Sequence, residues 1–82
     1  MTMNDVRAGM DACMWEYNIV ADAGSRDGTC MYMEFGEHAF SIYINESCDA
    51  VIHIDGGNRP HTFQNIDDLI YTIDTCLYCW GW

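Results

Sequence analysis

Residues 29–45 read TCMYMEFGEHAFSIYIN, and this stretch decides the fold. Apolar and polar side chains alternate on both sides of a short turn at Gly36, which predicts strands at residues 29–35 and 39–45. The connection between them is too short for anything but an antiparallel pair. The alternation places one apolar set on a common face: Met31, Met33, Phe35, Phe40, Ile42 and Ile44.

Two more strands flank this pair. Residues 17–22 alternate in the same way, and Asp27-Gly28 supplies a hairpin turn before residue 29. Residues 50–55 follow a polar turn and point Ile52 and Ile54 towards the core. Because all connections are short, we expect a four-stranded antiparallel meander.

Helices are predicted at the two ends of the chain. In the second, apolar residues recur at helical spacing from Ile66 to Trp80, with Asn65 as the cap at its start. Gly81 suits a left-handed position after the helix, from which Trp82 would pack back on it.

The first helix is predicted over residues 4–17, capped by Thr2 or Asn4 and weakened by Gly9. The complete prediction is a single α+β domain, residues 1–82, of order α-β-β-β-β-α with both helices on one sheet face. Seven residues are expected among the most buried: Met33, Phe40, Ile42, Ile52, Ile66, Ile70 and Ile73.

Charge is the most informative part of the composition. Thirteen Asp and Glu residues face only three arginines and no lysine, for a net charge of −10. Direct binding to nucleic acid calls for a basic patch, so this balance argues against it. The plainer interpretation of the charge is a solvated acidic surface that resists self-association.

The cysteines and the first residues predict a cytoplasmic protein. Five cysteines are an odd number, and Asp5, Arg7 and Asp11 interrupt any signal-like apolar run. No apolar stretch approaches the ~18 residues of a membrane span. We therefore expect reduced thiols in a host cytosol and no membrane association.

No motif predicts catalysis, a metal or a cofactor. Cys76-x-x-Cys79 is a single pair late in an apolar helix, whereas zinc sites usually combine two pairs. His38, His53 and His61 are isolated in the sequence, and no nucleophile or phosphate-loop motif occurs. The prediction is no catalytic residue, no metal ligand and no cofactor; a metal or thiol protein is the third-ranked alternative.

Two acidic surfaces are candidates for binding a partner. On the last helix Asp67, Tyr71, Asp74 and Tyr78 recur at i, i+4, i+7 and i+11, which predicts one exposed stripe. The outer sheet face is expected to carry carboxylates and tyrosines together. Its predicted partner-binding residues are Asp22, Tyr32, Glu34, Tyr43 and Asp55. Tyrosine beside carboxylate suits recognition, because tyrosine offers contact area at low entropy cost.

The opening Met3-Asn4-Asp5-Val6 and the later Tyr17-Asn18-Ile19-Val20 resemble the start of one Cas9-inhibitor family. In charge, size and element order the chain is similar to small acidic phage-encoded anti-CRISPR proteins. The resemblance implies an inhibitor that presents carboxylates where phosphates would bind, on the basic surface of a host protein such as a CRISPR effector or nuclease. The alternative is a protein–protein interaction module or a homodimerising module without nucleic-acid mimicry. We therefore expect the protein to be a monomer or a homodimer.

Overall fold

A computed structural model describes residues 1–57 and 59–81. Its elements, in chain order, are α1 (Met3–Ala12), β1 (Asn18–Ala21), β2 (Thr29–Phe35), β3 (His38–Ile44), β4 (Ala50–Ile54), β5 (His61–Phe63) and α2 (Ile66–Cys79). Within these residues, neither helix has the length and apolar character needed to cross a membrane.

The strands form one antiparallel sheet in the order β1-β2-β3-β4-β5. The predicted central pair is confirmed, with Met31 opposite Ile42. The predicted strand number is wrong, because β5 adds a fifth strand that pairs with β4 from Ala50 to Ile52. This strand has three residues and follows Pro60 directly, so it is too short to show an alternating pattern.

Helix α1 is shorter than predicted and ends at Ala12 rather than residue 17. Cys13 is its C-cap, and Met14 takes a left-handed backbone with φ 60°, which turns the chain towards β1. At the other end the predicted cap is present as a capping box between Thr2 and Asp5. The apolar residues after Ala12 continue the helical spacing in the sequence, but the helix itself ends at Ala12.

Helix α2 begins and ends where its caps predict. The Asn65 side chain accepts a hydrogen bond from the backbone N–H of Asp67 at 2.7 Å. Trp80 is the C-cap and Gly81 follows with φ 78°, the left-handed position expected of it. The predicted packing of Trp82 lies outside the described residues.

Both helices lie on one face of the sheet, as predicted, because their buried side chains join the inner strand residues in one cluster. Its buried members are Met3, Val6, Met10, Trp15, Met31, Met33, Phe40, Ile42, Ile44, Ala50, Ile52, Leu69, Ile73 and Leu77. Ile66 and Ile70 are only partly buried, so that part of the prediction is wrong. They lie where α2 meets Gly9 of α1, at the margin of the cluster rather than at its centre.

Candidate functional site

The two predicted acidic surfaces lie on opposite sides of the molecule. Helices α1 and α2 cover the inner sheet face, and their outward sides form what we call the helical layer. The outer sheet face points the other way. One flat interface therefore cannot include both surfaces. The chemistry of each surface indicates which of them suits a partner.

The predicted stripe on α2 is exposed along its length. Asp67 and Asp74 are exposed, Tyr71 is 73% exposed and Tyr78 is 84% exposed. Helix geometry places the two carboxylates roughly 10.5 Å apart along the axis, close to three nucleotide steps of about 3.4 Å. The stripe thus presents negative charge and aromatic surface together, with both accessible to a partner.

Helix α1 adds charge to the helical layer that the sequence reasoning did not include. All the carboxylates of the two helices are exposed: Asp5, Asp11, Asp67, Asp68 and Asp74. The Tyr17 hydroxyl donates to Asp11 Oδ1 at 2.9 Å, and this hydrogen bond raises the pKa of Tyr17. Neither helix has a basic residue in its last turn. Within the described chain the sole ion pair joins His38 and Asp55, so no ion pair neutralises the helical carboxylates.

The outer sheet face is less acidic than predicted. Glu34 is the one carboxylate within the five strands, and the Tyr32 hydroxyl donates to its Oε1 at 2.9 Å, which raises the pKa of Tyr32. Tyr43 stacks on His53 with ring centroids 5.9 Å apart. This face therefore offers a largely neutral, aromatic surface.

Asp22 and Asp55 do not lie on the strands of that face, which corrects the prediction for both. Asp22 follows β1, and its Oδ1 accepts the backbone N–H of Gly24 at 2.8 Å. Asp55 follows β4 with a left-handed φ of 54°. Its carboxylate accepts from the backbone N–H of Ala39 at 2.9 Å and contacts His38 Nδ1 at 2.8 Å. Both carboxylates stabilise turns, because their oxygens accept hydrogen bonds from neighbouring groups of this chain.

Sequence reasoning missed a cluster at the end of α2 formed by His38, Asp55 and Trp80. His38 begins β3 and stacks on Trp80, with ring centroids 4.0 Å apart and ring planes 7° from parallel. Trp80 also stacks on Phe40 at 5.1 Å. The hydrogen bond from His38 is the main cause that lowers the pKa of Asp55. The cluster fastens the end of α2 to the sheet.

The thiols differ in environment. Burial raises the pKa of Cys30 and of Cys76, while Cys79 is exposed. All five cysteines are free. Among residues 1–57 and 59–81, no three or more His, Cys, Asp or Glu side chains group in a way that would hold a metal ion.

Comparison with known proteins finds no match: no protein-family model, no curated protein and no solved structure is significantly similar to the chain.

Proposed function

We propose that this protein is a stoichiometric inhibitor that binds the basic groove of a nucleic-acid-binding host protein, such as a CRISPR effector or nuclease. It acts as a nucleic-acid mimic, whose carboxylates stand where phosphates bind. The observation that carries the proposal is the helical layer, whose five exposed carboxylates no ion pair of the described chain neutralises. Three of them, Asp67, Asp68 and Asp74, lie on α2 beside Tyr71 and Tyr78, whereas Asp5 and Asp11 accept hydrogen bonds from Thr2 and Tyr17. No step of this function needs a catalytic residue or a cofactor.

The helical layer suits this role better than the outer sheet face. A carboxylate can replace a phosphate only if its oxygens are free to accept from a partner's Lys or Arg. Asp22, Glu34 and Asp55 already accept hydrogen bonds from this chain. Asp67 and Asp74 have no comparable contact to a side chain among the described residues. Of the carboxylates predicted for the two surfaces, the free acceptors are therefore Asp67 and Asp74 on α2. On α1, Asp5 and Asp11 accept hydrogen bonds from Thr2 and Tyr17.

Charge and tyrosine contribute differently to such an interface. Exposed carboxylates steer association with a basic partner and raise its rate, and added salt screens their effect. Tyr71 lies within the stripe and Tyr78 at its end, and both supply apolar area that a partner can bury. Aromatic anchors buried in an interface often dominate binding energy. We therefore expect the aspartates to raise the rate of association with the partner and the tyrosines to slow dissociation from it.

The test removes two charges from the helical layer and, in a control variant, two charges from outside it. Asp67→Asn with Asp74→Asn takes two charges from the helical layer and preserves side-chain shape. Glu34→Gln with Glu46→Gln takes two exposed charges from elsewhere and is the matched control. A partner is first captured from a bacterial lysate and identified, and inhibition of its nucleic-acid binding or cleavage is then titrated.

We expect the helical double variant to weaken inhibition by at least about tenfold and the control to change it little. Affinity should fall between about 0.05 and 0.5 M salt, and nucleic acid and this protein should exclude each other from the partner. If the control variant weakens inhibition instead, the working surface lies outside the helical layer. If nucleic acid stays bound alongside the protein, the mimic proposal is wrong.

One observation favours the alternative, a homodimerising interaction module. All four residues of the edge strand β1 are exposed, including Ile19 at 38% and Val20 at 48%, and the strand contains no Lys or Pro to prevent pairing. The salt response separates the two functions. Two copies of net charge −10 repel each other, so a homodimer tightens as salt rises, whereas binding to a basic groove weakens. Sedimentation at two salt concentrations measures this difference.

A further inference from the structure

A groove of about 800 Å³ runs between α1 and the first turns of α2. We call it the inter-helix groove. Its apolar lining includes Ala8, Gly9, Ala12, Ile66 and Ile70, and the polar residues Gln64 and Asn65 line it as well. Two exposed carboxylates, Asp5 and Asp67, also border it. Sequence reasoning did not find this groove, because it depends on how the two helices meet.

The groove exists because α1 lacks large side chains on this side. A Cβ at Gly9 would lie 3.0 Å from Ile70 Cδ1, so glycine lets the two helices approach closely at that point. On either side of it Ala8 and Ala12 are exposed and extend no further than Cβ. Ile66 and Ile70 are consequently left partly uncovered, and the groove contains apolar surface that nothing in the described chain covers.

We propose that the inter-helix groove receives an amphipathic helix with basic flanks from the partner protein. The partner's identity rests on the proposed function above, whereas the groove itself does not. The occupant's apolar side chains would cover Ile66 and Ile70, and its Lys or Arg side chains would reach Asp5 and Asp67. This places an apolar anchor beside the carboxylate stripe of α2.

The groove walls favour a helical occupant over an extended one. Both walls are formed mainly by helices, whose interior backbone N–H and C=O groups bond along their own axes. Neither wall is a strand. An extended segment would therefore find no strand edge to pair with, while a helix satisfies its own backbone. The 10-residue α1 is about 15 Å long, which matches roughly three turns of a bound helix.

Electrostatics favours a basic occupant over a second copy of this chain. The outward sides of both helices of a second copy carry carboxylates, among them Asp11 and Asp74, and would repel Asp5 and Asp67. The last turn of α1 borders the groove with its negative dipole end and the first turn of α2 borders it with its positive end, so the two dipoles oppose each other. The preference for Lys and Arg on the occupant therefore comes from the carboxylates.

The experiment measures fluorescence anisotropy of a labelled peptide of about 14 residues, in which leucines recur every three or four positions and lysines fill the rest. A peptide of the same composition with the helical spacing scrambled controls for charge alone. Ala8→Arg puts a bulky cation into the groove at an exposed helical position that tolerates arginine. Ala23→Arg makes the same substitution at an exposed loop position that does not line the groove.

The full chain should bind the patterned peptide at least about tenfold more tightly than the scrambled one. Ala8→Arg should weaken that binding about tenfold or more, and Ala23→Arg should leave it within about twofold. Should Ala8→Arg fail to fold, Asp67→Asn keeps the groove's shape and should still weaken binding, by about two- to fivefold. Amide resonances of Gly9 and Ile70 should shift on titration.

Three results would overturn the inference: equal binding of the two peptides, equal loss from the two arginine variants, or amide shifts confined to the outer sheet face. A dimer that Ala8→Arg dissociates would also overturn it, because the occupant would then be a second copy. If the peptide fails to bind but Asp67→Asn with Asp74→Asn still relieves inhibition, the groove inference falls and the proposed function stands. If the peptide binds the groove but nucleic acid and this protein bind the partner at the same time, the proposed function falls and the groove inference stands.

Discussion

Truncation of Ile73 to alanine should unfold a large share of the molecules at moderate denaturant. Ile73 is fully buried in the cluster that joins both helices to the sheet. The substitution removes three carbon groups, worth about 0.8 kcal/mol each in lost burial, and leaves a cavity that adds to this loss. We therefore expect a cost of about 3–4 kcal/mol. A domain of 82 residues has a free energy of unfolding of about 4–12 kcal/mol, so about a quarter or more of it would be lost.

Ile70→Ala is the matched control, since it makes the same change one turn earlier on the same helix. Ile70 is only partly buried and borders the inter-helix groove, so its truncation should cost about 1–2 kcal/mol. Urea unfolding followed by circular dichroism measures both. With a slope of about 1–3 kcal/mol/M, the Ile73→Ala midpoint should fall by about 1–4 M, and the Ile70→Ala midpoint should fall by clearly less at the same slope.

The comparison is sensitive to the position of α2 over the sheet. Equal losses from the two variants, or a larger loss from Ile70→Ala, would mean that α2 is rotated about its axis from the arrangement described. The core and the inter-helix groove would then both be assigned wrongly, because both depend on Ile73 pointing inward and Ile70 pointing towards α1.

Two further predictions concern protons and thiols. The pKa of Asp55 is lowered in the fold, so its contribution to stability is present above about pH 4 and is lost as pH falls below that value. The difference in thermal midpoint between the wild type and Asp55→Asn should therefore shrink on acidification, and a difference that stays constant down to about pH 2 would contradict the hydrogen bond with His38. Under a limiting thiol reagent at neutral pH, Cys79 should be labelled before Cys30 and Cys76, because burial raises the pKa of the latter two. Mass spectrometry of the labelled peptides gives the order, and early labelling of Cys30 would show that its side of the sheet opens readily.

Local pattern sufficed for the central strands and the second helix. The alternation through residues 29–45 can bury one face only as an antiparallel pair, and the observed register of Met31 with Ile42 follows from it. The helix caps at Thr2 and Asn65 could also be predicted from the sequence, because a cap is a contact between residues close together in the chain. Strand β5 could not be predicted from the sequence, because its three residues are too few to show an alternating pattern.

The surfaces needed tertiary structure for a different reason. Composition alone determined that the protein is strongly acidic, and helical spacing determined that Asp67 and Asp74 share one side of α2. Tertiary structure decided the state of Asp55, whose carboxylate contacts His38, 17 residues away in sequence. The inter-helix groove depended on the approach of Gly9 to Ile70. Sequence determines what a chain can do locally, and only packing between distant segments decides which polar groups are already satisfied and which apolar surface stays uncovered.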